Sequence, residues 1–209
     1  DTVNNRLRTI RDEPGAATEV AALTRLQDLA QQALTADSGK YNALAEYLTS
    51  IGVGKGKSMR AVIFAERVAT LHWLQNRLMD SFNLDEDAVR VLHGQLSDET
   101  QQEIVESFKQ ESSPIRILVT GDVASEGVNL HLQCHQLIHY DIPWSLIRIE
   151  QRNGRIDRYG QEHRPQITTL LLDTQTDQFG GDLRVLQRLM EREHEAHKAL
   201  GDAASLMGK

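Results

Sequence analysis

The chain has 209 residues, 40% of them hydrophobic and 25% charged, and its 23 Lys and Arg against 30 Asp and Glu leave a net charge of −7. That balance is that of a globular domain. No apolar run approaches the roughly 20 residues of a membrane span, and the acidity argues against an autonomous module that holds nucleic acid by bulk charge. The single Cys134 excludes an internal disulfide framework and points to a reducing, cytoplasmic location.

The first fifty residues read as helical. Val20, Leu23, Leu26, Leu29, Ala30 and Ala33 recur at spacings of three and four, which places them on one stripe of a helix. Asp37-Ser38-Gly39 interrupts the stripe, and Tyr41, Leu44, Ala45 and Leu48 form a second, shorter helix. Gly52 to Lys57 is a glycine- and lysine-rich loop that fits neither period. From Arg60 the pattern changes. Ala61-Val62-Ile63-Phe64-Ala65 is a continuous apolar run of strand length, the pattern of a strand covered on both faces. Val68, Leu71, Leu74, Leu78 and Phe82 mark a helix, and Val89 to Leu92 a second strand. Ser97 or Asp98 caps a helix that buries Ile104, Val105 and Phe108 and stops before Pro114. Ile115 to Thr120 is a third strand and Gln136 to Tyr140 a fourth. Ser145 to Asp157 reads as a helix with Gly154 inside it, and Ile167 to Leu172 as a fifth strand. The tail from Asp182 reads as a long helix carrying Leu183, Leu186, Leu189, Met190 and Leu200. This alternation predicts a three-layer α/β domain with a mostly parallel sheet, whose ligands meet the loops at the carboxyl ends of the strands.

Two stretches carry candidate chemistry. Gln151-Arg152-Asn153-Gly154-Arg155-Ile156-Asp157-Arg158 places three arginines in seven residues. On a helix Arg155 and Arg158, three apart, project to one side, and two planar guanidinium groups on one face suit a polyphosphate. The plainer alternative is a solvated helix whose arginines pair with Glu150 and Asp157. The second stretch, Leu118 to Leu130, is a strand that empties into small and polar residues. Thr120, Ser125 and Gly127 can bring hydroxyls and backbone N–H groups to phosphate, or can form an ordinary capped turn. His131, Cys134, His135 and His139 do not converge as zinc ligands: there is no second cysteine, and His139 lies within an apolar strand. No metal ligand is expected. Trp144, in a loop before the arginines, is a candidate either for packing or for an interface.

Taken in order, Val62-Ile63-Phe64, His93-Gly94, Thr120 to Asn129 and Gln151 to Arg158 resemble motifs IV, IVa, V and VI of the C-terminal RecA-like lobe of superfamily 2 helicases. The resemblance spans about Lys40 to Leu172. Asp141-Ile142-Pro143-Trp144-Ser145 before the arginines and Gly160-Gln161 after them are similar to the Swi/Snf-type translocases, bacterial members above all. It implies that Arg155 and Arg158 act catalytically on the γ-phosphate of ATP held by a first lobe. Gln151, Gly127 and Asn129 would line the nucleotide cleft, and Thr120, His93 and Gly94 would follow the nucleic-acid backbone. Glu126 stands where many helicases carry an arginine, a departure from the motif V pattern.

ATP and Mg would be held mainly by that first lobe. Gly52 to Ser58 is no P-loop, because Ile51 stands where its first glycine belongs and a strand follows where a helix should. The chain is therefore expected not to hydrolyse ATP alone. The expected layout is a helical lead-in over 1–50, the lobe over 51–180 and a helical extension over 181–209. The expected partners are the N-terminal RecA-like lobe of the same protein, double-stranded nucleic acid with DNA favoured over RNA, and other protein subunits, with no membrane. The competing reading is a non-catalytic RecA-like protein-interaction module, which the net charge and the charged C-terminal helix suit. A stand-alone nucleotide-binding enzyme is disfavoured by the absent phosphate loop.

Overall fold

The computed structural model describes residues 2–11, 13, 15–35, 38–122, 128–172 and 181–192, and the chain divides into two compact units, Asp1–Asn42 and Ala43–Lys209. In the first, α1 (Thr2–Ile10) and α2 (Ala17–Thr35) are joined by an Arg6–Glu19 fork with contacts of 2.8 and 3.3 Å. Such exposed pairs add little stability. Ile10 is wholly buried, whereas Leu26 and Leu29 of the expected α2 stripe remain half exposed. α3 (Gly39–Ser50) begins in this unit and ends in the second.

The second unit is built on β1 (Ala61–Phe64), β2 (Val89–Leu92), β3 (Ile117–Thr120), β4 (Gln136–His139) and β5 (Gln166–Thr169), with α4 (Val68–Phe82), α5 (Asp98–Lys109) and α6 (Leu146–Asn153) between them. A further helix, α7, occupies 181–192; Leu200 of the expected tail lies outside the described residues. All strand pairs are parallel, and the order is β2-β3-β1-β4-β5. The expected α/β architecture is the observed one.

Side chains alternate across a strand, so burial at every position means cover on both faces. Val62, Phe64, Leu92, Leu118 and Leu137 join Ile104, Val105 and Phe108 of α5 in one core, which also takes in Leu130 and Ile156. The alternate residues Ala61, Ile63, Ile117, Val119 and Ile138 are wholly buried on the other face. Ser97 caps α5 as expected, its Oγ accepting from the Thr100 amide at 3.2 Å. At the other end of α5 the buried Arg60 donates to the carbonyls of Phe108, Gln110 and Glu111 at 2.5, 2.7 and 2.9 Å. A cation there satisfies carbonyls that have no partner in the helix and suits the negative end of its dipole.

Several boundaries differ from the sequence expectation by one residue or more. β3 starts at Ile117, not Ile115, because the amides of Arg116 and Ile117 both turn to the Ala88 carbonyl. β5 stops at Thr169 because its neighbour β4 ends at His139, and the Leu172 amide instead meets Asp182 at 3.0 Å. α6 ends at Asn153 and does not continue to Asp157, which changes the geometry of the arginine-rich stretch.

Candidate functional site

The last residues of the five strands lie in one row: Leu92, Thr120, Phe64, His139 and Thr169 are register partners across the sheet. β1 leads away toward β2 on one side, and β4 leads toward β5 on the other. The chain therefore diverges between β1 and β4, and such a divergence opens a crevice at the carboxyl ends of parallel strands. Phe64 and His139 close that crevice.

Arg152 of α6 fills it. Its side chain is 2% exposed, and its Nε and Nη2 donate to Asp122 Oδ1 and Oδ2 at 2.5 and 3.1 Å. Nη1 donates to the Asp141 carbonyl at 2.8 Å, and the guanidinium lies 5.2 Å from the centre of the Phe64 ring. Asp122 follows β3 and Asp141 follows β4, so one side chain ties three strand ends to α6. The planar fork makes this possible, since it offers paired donors to a carboxylate and others to a carbonyl. Arg148, one helical turn earlier and exposed, reaches the same carboxylate at 3.6 Å.

His139 completes the group. Asn153 Oδ1 lies 2.9 Å from its Nε2 and is an acceptor, so Nε2 carries the proton and Nδ1 faces Arg152 Nη1 at 3.5 Å. Burial, with the Arg152 charge adding to it, lowers the imidazole pKa from 6.5 to about 4. The folded chain then binds fewer protons than the unfolded chain between those values. Stability is therefore full above pH 6.5 and falls as the pH drops toward about 4. Denaturant unfolding at pH 7 and 4.5 is expected to show the native chain losing roughly 2–3 kcal/mol more than a His139→Gln variant. Equal losses would assign the acid sensitivity to other groups.

The arginine stretch leaves the helix after Asn153. Gly154 holds helical angles, φ −63° and ψ −4°, but the following amides tighten back: Arg155 to Arg152 O at 3.0 Å, Ile156 and Asp157 to Asn153 O at 3.1 and 2.9 Å. A Cβ at Gly154 would stand 3.3 Å from the Glu150 carbonyl. Arg155 and Arg158 therefore sit on a turn, which corrects the expectation of a shared helical face. The turn is pinned beyond Arg155. Ile156 is wholly buried in the core, the Leu130 amide donates to the Arg155 carbonyl at 3.0 Å, and the Gln161 side chain donates to the carbonyls of Cys134 and Ile156, each at 3.0 Å. Arg155 is half-buried; Arg158 is exposed and donates to Asn129 Oδ1, not to Glu150 or Asp157. The structure thus brings together Arg155, Arg158 and Asn129.

The remaining expected residues are more scattered. Gln151 is exposed on α6, and Gly127, like Ser125 and Glu126, lies outside the described residues. Thr120 is wholly buried with its hydroxyl on the Gly121 carbonyl at 3.1 Å, so in this conformation it offers no surface to a nucleic-acid backbone. Gly94 is exposed; His93 is buried beneath it, edge-on to His72 at 5.2 Å, and burial together with His72 lowers its pKa. Trp144 is 67% exposed, against a packing role. Cys134 is buried with its thiol donating to the carbonyls of Arg60 and Gln136, and burial raises its pKa to about 12. Among the described residues no group of three or more His, Cys, Asp or Glu is placed to hold a metal, and no helix is long and apolar enough to cross a membrane. Sequence reading passed over Arg152, Asp122, His139 and Asn153 as a group.

This architecture is that of the RecA-like helicase lobes. The chain is similar to the C-terminal part of the Fun30 ATPase domain, with a TM-score of 0.56 at 21% identity over 82% of this chain and 60% of that one. It is also similar to domain 2 of the Mss116p DEAD-box helicase, solved on an RNA duplex, with a TM-score of 0.55 at 20% identity over 73% and 53%. Residues 39–160, more than half of the chain, match the helicase conserved C-terminal domain family, and the chain belongs to that family. Among curated proteins it is 33% identical over 95 residues to the uncharacterized ATP-dependent helicase YqhH of Bacillus subtilis, covering 46% of this chain and 16% of that protein. It is 29% identical over 124 residues to the RNA polymerase-associated protein RapA of Cronobacter sakazakii, covering 59% and 12%. The chain thus spans less than a fifth of the length of these relatives.

Proposed function

We propose that the chain is the second lobe of an ATP-driven nucleic-acid translocase of Swi/Snf type, and that Arg155 and Arg158 act on ATP held by a first lobe. The observation that supports this most is the turn itself. It starts from Asn153, which meets His139 at the carboxyl end of β4, carries two guanidinium groups, and is fixed on its downstream side by packing and hydrogen bonds. Cations held in advance opposite a developing phosphate charge stabilise it without reorganising, and an arginine finger in other NTPases is worth roughly 10³–10⁵ in rate. Residues of this type fit a triphosphate: Arg155 and Arg158 would neutralise its oxygens, and Gln151 and Asn129 would line the same cleft. ATP with Mg supplies the cleavable phosphoanhydride. The partners are the N-terminal lobe of the same protein and a duplex, DNA before RNA. Both curated relatives are much longer, and one is named as an ATP-dependent helicase.

A non-catalytic interaction module is the second reading, and the exposure of Trp144 and Ile147, at 67% and 66%, favours it. ATP turnover by the longer protein, measured with duplex DNA, duplex RNA and single strands, separates the two. The translocase reading expects turnover that rises with duplex DNA and weakens as salt is added, because phosphate contacts release counterions. Turnover indifferent to every nucleic acid would favour the interaction module.

A further inference from the structure

Arg152 is the only buried residue of α6, an eight-residue helix. Leu146 and Ile149 are half-buried, so the deepest anchor of this helix is an ion pair. The turn that follows has two sides. Beyond Arg155 it is held by Ile156 and Gln161, as described above. Before Arg155 it is continuous with α6, and the Arg155 amide bonds to the carbonyl of Arg152 itself at 3.0 Å.

We infer that Arg152 is a positioning residue for the arginine turn: its fork on Asp122 and its bond to the Asp141 carbonyl set the end of α6 from which Arg155 is presented. The inference rests on the reading of Arg155 as a nucleotide contact. Two contacts support it beyond Arg152. Asn153, next in the chain, is tied to His139 of β4, so consecutive residues fasten the helix end to the sheet. Asp122 and Asn129 flank the segment after β3, the first held by Arg152 and the second meeting Arg158. The same two segments are thus joined twice, once through a buried pair and once at the surface. A lysine in place of Arg152 delivers a single ammonium and cannot meet both carboxylate oxygens and the carbonyl with the fork's geometry.

The test is a kinetic cycle in the longer protein, with ATP turnover measured for Arg155→Ala, for Arg152→Met/Asp122→Leu and for their combination. Exchanging both members of a buried pair for apolar residues leaves no stranded charge, which favours folding; Arg152→Lys serves as a second variant should the exchange not fold. A positioning role predicts that either variant lowers kcat about tenfold or more with the KM for ATP little changed, because the lost interaction is made in the transition state. It also predicts no further loss when Arg155 is already alanine, since Arg152 acts through Arg155. Unchanged kcat, or losses that multiply with that of Arg155→Ala, would overturn the inference while leaving the function in place. An Arg155→Ala variant with native turnover would overturn the function and the inference together.

Discussion

Arg152→Ala is expected to lower the stability of the chain by about 3 kcal/mol, more than most single substitutions. The change takes the fork away from Asp122, whose side chain is 23% exposed and which would keep Arg148 at 3.6 Å of the two arginines now facing it. It also removes the Arg152 donor from the Asp141 carbonyl and leaves a space beside the Phe64 ring. The figure is at the lower end of the usual range for a broken buried pair because Asp122 is partly solvated. Replacing both partners, as Arg152→Met/Asp122→Leu, should recover most of the loss, since a buried pair and its apolar replacement are often close in stability. Denaturant midpoints for the three chains measure both effects. A loss below about 1 kcal/mol for Arg152→Ala would mean that the pair is no anchor of the fold.

β1 and β3 were legible because they are covered on both faces. Ala61 to Phe64 and Ile117 to Thr120 are wholly buried, and burial without alternation leaves a continuous apolar run in sequence. The Ser97 cap was legible because its chemistry is local, a hydroxyl three residues from the amide it serves. The end of α6 was not. Gly154 keeps helical angles, so no left-handed glycine marks the stop, and the hydrogen bonds that draw the chain away come from Leu130 and Gln161.

The candidate site divides in the same way. Arg155 and Arg158 stand out by composition and spacing, and their family resemblance rests on local sequence. Arg152 reads as one more surface arginine, because its partner Asp122 is thirty residues away. A signal was present nonetheless: Leu146 and Ile149 are three apart, and the next position on that inward face is Arg152. An arginine where the helical period asks for an apolar residue is a candidate for a buried pair. At Thr120 motif position and strand position point in different directions. Its motif position suggested contact with a backbone, yet the same residue ends a central strand and is covered by its neighbours.

The most direct test of the central claim is nucleic-acid-stimulated ATP turnover of the longer protein with Arg155→Ala. Arg155 lies half-buried on a turn that the core holds through Ile156 and the Leu130 amide, both reached by the backbone. Truncating the side chain at Cβ spares those bonds, so the fold should survive, which thermal melting checks. If the guanidinium meets the γ-phosphate, its loss removes transition-state stabilisation, and turnover should fall by about 100-fold or more, while nucleic-acid binding is kept. Arg158→Ala, whose side chain is exposed and tied to Asn129, should fall in the same direction. A folded Arg155→Ala protein that hydrolyses ATP at the native rate would contradict the account, and the lobe would then serve as a binding surface and not as half of a motor.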